Sequence, residues 1–366
     1  MKRPIGKYYS SSSVLSVEPL INRVALDLCG YLDERFVKAN KPCDLGAYIA
    51  YCAWDMVGAA TFSENYGYME KGCDFDGTIE IADRSLDYFV AVGQMPFLDR
   101  WLDKNPFVRI GPPNLGSATK IALDHIVARA TGNDLNPETP DFLDRFFEAK
   151  QQHPDTVHDG TILNYVFINL IAGADTTAIT IRAIIYFVLK HREVHRKLVE
   201  EILGADFGEV AQYSTARSLP YLEACIRETT RVHPGVAMNL ERYVPDSGLT
   251  LPNDKFVPAG TKVGINPYVV HRNPSVWGED VDDFRPERWL QQAGESEDAF
   301  AERLKLFNNS DLTFGGGSRI CLGRHLGMLE VYKIIGTLFA RYEIELIDQD
   351  EEWSLPVCNS TTRSQE

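Results

Sequence analysis

From residue 14 onward the apolar positions recur at three and four: Leu15, Leu20, Val24, Leu28, Leu32 and Phe36. That spacing predicts an amphipathic helix over residues 14–39. The same period predicts helices over 45–62, 78–92 and 115–130. Asn105-Pro106 and Gly111-Pro112-Pro113 break the chain before the last of these, and Pro137, Pro140 and Pro154 punctuate a polar connection after it. The longest apolar run follows, at residues 162–189. It is longer than the roughly 20 residues of a membrane span, but Asn164, Asn169, Asp175 and Arg182 lie inside it. An ionised group at mid-bilayer costs about 2.5–3.5 kcal/mol even on insertion scales. Apolar residues on all sides predict instead a helix through the centre of a large globular domain. Ala172-Gly173-Ala174-Asp175-Thr176-Thr177 falls at its middle. A glycine there costs roughly 1 kcal/mol against alanine, so a loosened turn is expected.

Helices are further predicted from His195 to about residue 203 and over 221–232, where His233-Pro234 ends the second. The texture then changes. Short β-prone runs at 242–244, 249–251, 255–257 and 261–265 alternate with Pro245, Gly248, Pro252 and Pro258-Ala259-Gly260, which predicts a small sheet. A loop-rich stretch is expected over 272–309, then a glycine-rich loop, a helix over 322–342 and a short strand over 343–346. The fold class is mainly α with small β-sheets, in a single domain over residues 1–366.

At 366 residues, with 44% hydrophobic and 24% charged residues, the chain has the make-up of a soluble globular protein with a substantial core. Its formal net charge of −15 argues against a nucleic-acid partner. Seven scattered cysteines without a C-x-x-C pair suit a reducing, intracellular compartment rather than a disulfide framework or structural zinc. Met1-Lys2-Arg3-Pro4 leads into a polar serine run at Ser10–Ser13, so no signal peptide or anchor is expected at the start.

The candidate chemistry sits in three places. Phe314-Gly315-Gly316-Gly317-Ser318-Arg319-Ile320-Cys321-Leu322-Gly323 puts one cysteine where a glycine-rich loop feeds a helix. Glycines let backbone approach a group closely, and a helix N-terminus favours thiolate over thiol. No Lys-Ser or Lys-Thr follows, as a phosphate loop would need. From the loop alone, cofactor ligation and a small buried hydrophobe both stay open. Asp175-Thr176 is either an acid–alcohol pair or a satisfied polar break in a core helix. Glu228 and Arg231 share a helix face and can pair, with Arg288 downstream, although most such pairs are solvated contacts worth under about 1 kcal/mol.

Taken together and in this order, these signals resemble the cytochrome P-450 superfamily of haem-thiolate monooxygenases. Phe314, Gly317, Arg319, Cys321 and Gly323 meet its F-x-x-G-x-R-x-C-x-G loop. Ala172, Gly173, Asp175, Thr176 and Thr177 meet [AG]-G-x-[DE]-T-[TS], Glu228 and Arg231 meet E-x-x-R, and Pro286-Glu287-Arg288-Trp289 resembles the arginine partner motif. The resemblance runs from about residue 14 to 353, and the texture of 98–106 is similar to fungal members of the pisatin-demethylase type. It implies haem b held by Cys321 as the iron ligand, Phe314 beside the sulfur, Gly317 and Gly323 giving room to the porphyrin, and Arg319 and Arg242 pairing with its propionates. Asp175 and Thr176 are implied as the distal proton relay, and Glu228, Arg231 and Arg288 as a structural cluster. Ile168, Ala172, Thr176 and residues 236–239 are implied substrate contacts, for a hydrophobic small molecule. The implied reaction inserts one oxygen atom from dioxygen, in fungal secondary metabolite biosynthesis. NADPH electrons would arrive through a flavoprotein reductase docking near Arg319, Arg324 and Lys333, on a monomer.

The chain also departs from that family's pattern. No anchor, first sheet or early helices are expected ahead of the region of residues 8–18, although family members usually sit on the endoplasmic reticulum membrane. The W-x-x-x-R pattern is absent, since Gly58 stands four after Trp54, the first tryptophan. After Trp353 a polar tail, residues 358–366, replaces an expected strand pair. The alternative reading is therefore a truncated haem-binding remnant with weak or no activity.

Overall fold

The computed structural model describes residues 2–111, 116–134 and 139–353. These form two compact units, Met1–Cys225 with Leu322–Glu366, and Ile226–Cys321. The predicted mainly α class with small sheets holds for the chain: the first unit is helical among the described residues, and the strands lie in the second.

The first unit is helical. Its long elements are α1 (Glu18–Leu32), α2 (Leu45–Phe62), α3 (Thr78–Gln94), α4 (Gly116–Ala130), α5 (Phe142–Gln152), α6 (Asp159–Lys190), α7 (Arg192–Leu203) and α10 (Arg324–Arg341). Helix α8 (Pro220–Val232) begins in this unit and its residues from Ile226 belong to the second. The predicted helix over 14–39 is three pieces: a 3-10 turn at Leu15–Val17, α1, and a π-helical turn at Asp33–Val37. Helix α2 begins where the Asp44 carboxylate accepts the Ala47 N–H at 2.9 Å and ends at Ser63, in the left-handed region. Such an N-cap is worth about 1 kcal/mol. From Tyr48 to Phe62 nearly every residue of α2 is buried, because α1 and α6 flank it.

Helix α6 corrects one expectation. It runs unbroken for 32 residues through the Ala172–Thr177 segment. Gly173 serves close packing there rather than an opened turn: a Cβ at this position would lie 2.9 Å from Val57 Cγ2 of α2. Replacing it would push the two helices apart. Helix α6 is also, among the described residues, the one helix long and apolar enough to cross a membrane, and 56% of its most apolar window is buried inside the protein. Its core-facing stripe explains the apolar run.

The second unit carries the small sheets. β1 (Arg242–Tyr243) pairs antiparallel with β4 (Lys262–Val263), with Arg242 opposite Val263, and β2 (Leu249–Thr250) pairs with β3 (Phe256–Val257). Each of the four lies within a run predicted as β-prone. The stretch expected to be loop-rich contains a 14-residue helix, α9 (Glu297–Ser310). Ser296 caps it by accepting the Ala299 N–H, and Phe307 is buried against Trp277 and Trp289, at centroid distances of 4.6 and 5.4 Å. Residues 343–346, predicted as a strand, are irregular. Pro112, Pro113, Leu115 and Pro137, and the polar tail over 358–366, lie outside the described residues.

Candidate functional site

The cysteine loop is built by its own backbone. The Gly315 N–H donates to Leu312 O at 2.8 Å, and the Cys321 N–H donates to Phe314 O at 2.8 Å, closing the loop at its base. Gly315 and Gly317 have φ of +70° and +59°, the left-handed region that a side chain makes costly. Gly316, at −152°, and Gly323, at −78°, are in ordinary conformations. A Cβ at Gly317 or Gly323 would meet no protein atom within 4 Å. No protein side chain or backbone therefore packs against the Cα of either glycine. Cys321 and Arg319 are exposed, and Phe314 is half-buried. A Cβ at Gly315 would lie 3.6 Å from Leu240 Cδ1, so the loop packs on the segment that carries Arg242. Arg242 is exposed, with its guanidinium donating to Glu241 O at 2.6 Å.

Haem fits these residues. Among the described residues no three His, Cys, Asp or Glu side chains gather into a metal-binding group. An iron held here would take one ligand from the protein and the others from a macrocycle, the arrangement a lone exposed cysteine on a glycine loop serves. Two exposed arginines in the same unit suit anionic groups on that macrocycle.

Behind the loop lies a buried ion cluster. Arg231, 1% exposed, uses all five guanidinium N–H groups: two on Glu228 at 2.8 and 2.9 Å, and three on the carbonyls of His271, Val281 and Asp283. Glu228, fully buried, also accepts from the Arg285 N–H at 3.0 Å, Arg288 Nε at 3.3 Å and Trp289 Nε1 at 2.9 Å. Arg288 is completed by Asp280 Oδ1 and Asp280 O, both at 2.8 Å. The pairing expected from the E-x-x-R spacing is thus real and buried, with every partner within the second unit.

In the first unit, Asp175 and Thr176 take different faces of α6. Thr176 is half-buried and its hydroxyl donates to Ala172 O at 2.8 Å, which leaves its oxygen lone pairs available. It continues an exposed stripe at four-residue spacing formed by Asn164, Ile168 and Ala172. Asp175 is 8% exposed and its Oδ2 has no hydrogen-bond partner. Burial pushes its carboxyl up to about 6, while the nearby Trp54 indole and the Arg182 charge oppose that rise. Arg182 is itself tied to Gly46 O at 2.7 Å. Asp83 on α3 is pushed up to about 7, first by burial and then by the Asp175 charge, with Arg182 again opposing. Burial thus raises both carboxyls, and the charge of Arg182 opposes the rise of each. Sequence reasoning missed Asp83 and Arg182 in this role.

It also missed Glu330. This side chain is 2% exposed, and one of its oxygens accepts from Thr177 Oγ1 at 3.1 Å while the other has no partner. The only signal was an acid inside the apolar run Leu329-Glu330-Val331-Tyr332. Burial raises its pKa from 4.5 to about 8, against the Thr177 bond. A folded-state value above the unfolded one means that the folded chain holds the proton more tightly. Stability is then fully present below about 4.5 and falls as pH rises to about 8. Glu330→Gln keeps an acceptor for Thr177 and removes the ionisation. The variant is expected to match the native protein near pH 4.5 and to exceed it increasingly up to pH 8, by on the order of several kcal/mol. Denaturant unfolding across that range measures it, and a difference independent of pH would contradict the assignment.

Lys333 does not belong to any docking face. It is fully buried, with Nζ donating to Glu18 Oε1 at 2.7 Å and Ala211 O at 2.6 Å. Its position on α10 looked solvated in sequence, but α1 supplies an acid that holds it inside.

Comparison with known proteins agrees with this chemistry. The family model "Cytochrome P450" matches residues 7–359. The chain is 46% identical over 360 residues to cytochrome P450 monooxygenase cfoH of Aspergillus candidus, covering 97% of this chain and 67% of that protein. It is 36% identical over 365 residues to cytochrome P450 monooxygenase cicH of Emericella nidulans, covering 97% and 71%. It is 34% identical over 359 residues to cytochrome P450 monooxygenase mpaDE of Penicillium brevicompactum, covering 96% and 41%. The chain thus spans between 41% and 71% of these relatives' own lengths, and none of the three favours the reading as a weakly active remnant. With the family's model matched from residue 7 to 359, and with the glycine loop, the buried Glu228–Arg231 cluster and the acid-bearing central helix in place, this chain belongs to the cytochrome P450 family.

Proposed function

We propose that the protein is a haem-thiolate monooxygenase that inserts one oxygen atom from dioxygen into a hydrophobic small molecule, by hydroxylation, epoxidation or demethylation, in fungal secondary metabolism. The observation that carries this is the glycine loop, closed by the Cys321 N–H to Phe314 O bond and turned by left-handed Gly315 and Gly317, that presents an exposed Cys321. Residues 1–366 work as one functional domain in this reading, on a monomer that takes NADPH electrons through a flavoprotein reductase. Cys321 is the iron ligand. Arg319 and Arg242 pair with the propionates, Phe314 limits water at the sulfur, and Gly317 and Gly323 admit the porphyrin face. When bound through a thiolate, haem supplies the activation of dioxygen.

The chain's own residues handle substrate and protons. Ile168, 52% exposed, and Ala172 on the stripe of α6 present apolar surface to a substrate. The Thr176 hydroxyl, already donating to Ala172 O, accepts a proton-donating partner. Asp175, held near 6, is both protonated and ionised in useful amounts at neutral pH, as a proton shuttle requires. Its burial keeps bulk water from delivering protons without control. The test is product analysis with isotopically labelled dioxygen, on a panel of apolar small molecules with a reductase and NADPH. One labelled atom in the product is expected from the native protein. Asp175→Asn should lower its rate by about 10²–10⁴ without moving the absorption of the reduced, carbon-monoxide-bound form. Product that carries no label would refute the proposal.

A further inference from the structure

A histidine outside every motif connects the ion cluster to the cysteine loop. His271 is fully buried. Its Nε2 accepts the Leu312 N–H at 2.8 Å, and its Nδ1 lies 3.2 Å from Arg231 O. The two contacts fix the ring's chemistry. A nitrogen that accepts an N–H carries no hydrogen, so Nδ1 bears the proton and donates it to Arg231 O. The ring is therefore neutral, in one tautomer, with both nitrogens used.

Each end of this bridge is itself fastened. Arg231 is locked by Glu228, and its guanidinium also donates to His271 O at 2.9 Å, so the two residues hold each other twice. At the other end Leu312 O receives the Gly315 N–H, and Phe314 O receives the Cys321 N–H. A continuous run of hydrogen bonds leads from Glu228 through Arg231 and His271 to Leu312, where the turn that carries Cys321 begins. The Trp277 ring meets His271 edge-on at 6.0 Å and limits its rotation. All of these residues lie in the second unit.

We propose that His271 is a positioning residue for the cysteine loop: its bare Nε2 anchors Leu312 and so holds the Cys321 turn in register with the Glu228–Arg231 cluster. The proposal rests on Cys321 being the iron ligand. Protonation would reverse the geometry. A cationic ring can no longer accept the Leu312 N–H, and its Nε2 would turn to Asp311 Oδ1, 3.6 Å away. Burial, the largest influence, keeps His271 below its ordinary value; Asp311 and the Arg231 carbonyl favour the cation, and the Arg231 and Arg272 charges oppose it. Loss of the anchor thus belongs to acid conditions, under about pH 6.5.

The test compares native protein, His271→Ala and His271→Gln. The glutamine carbonyl can accept the Leu312 N–H but does not titrate in this range. Two readouts are taken: amide hydrogen exchange over residues 311–321 without haem, and the reduced, carbon-monoxide-bound absorption with haem. His271→Ala is expected to lose protection at Leu312 and Cys321, and to move more than half of the red-shifted thiolate band to the blue. His271→Gln is expected to retain both, and to keep its thiolate band through the acid range in which the native band declines. Native exchange and band in His271→Ala would overturn the proposal, as would an acid decline in His271→Gln equal to the native one. Should His271→Ala not fold, the pH profile of His271→Gln decides alone. A native protein with no thiolate band would instead overturn the assignment of Cys321.

Discussion

Replacing Cys321 with alanine is expected to abolish the red-shifted thiolate band of the reduced, carbon-monoxide-bound protein, and all oxygen insertion with it. The loss should be local. The bond that closes the loop runs from the backbone N–H of residue 321 to Phe314 O, and the left-handed turns belong to Gly315 and Gly317. None of these needs the sulfur, so the loop keeps its shape and helical content is unchanged. What disappears is the one donor that a lone-ligand iron site has here. Absorption spectroscopy beside far-ultraviolet circular dichroism separates the two effects. A thiolate band surviving in Cys321→Ala would place the iron ligand elsewhere.

Glu228→Ala is expected to destabilise the second unit by about 3–5 kcal/mol, as breaking a buried ion pair does. The reason is the number of donors left behind. Glu228 accepts from Arg231, the Arg285 N–H, Arg288 and the Trp289 indole, all shielded from water. Alanine leaves two buried guanidinium groups partly unmatched. Because Arg231 also grips His271, the defect should spread to the cysteine loop and reduce haem uptake. Denaturant unfolding and haem content together measure it. A change within about 1 kcal/mol, the range of a surface pair, would show that the cluster does not carry the unit's stability.

Local signals in the chain were informative wherever the element depends on its own residues. Helix α2 spans the residues that its apolar period predicts, and the four short strands lie within their β-prone runs. The candidate site residues were legible for the same reason: turn-forming glycines, a cysteine and an acid–alcohol pair mark themselves by type and spacing. Helix α9 was not legible, because its sequence is mostly polar and its anchor, Phe307, depends on Trp277 and Trp289. A strand over 343–346 was expected from β-propensity, yet a strand exists only with a partner, and among the described residues none pairs with it.

Sequence by itself determined the helical class, the four β-prone runs, the cysteine loop and the identity of the residues that meet the family's patterns. Only the tertiary structure decided which charges are buried. Lys333 meets Glu18 from the far end of the chain, Glu330 is stripped of water beside Thr177, and His271 joins Arg231 to Leu312. Periodicity and turn chemistry act over a few neighbouring residues and can be read along the chain. Desolvation and hydrogen-bond partnership depend on residues brought together from distant positions, so packing alone sets the protonation of Glu330 and the tautomer of His271.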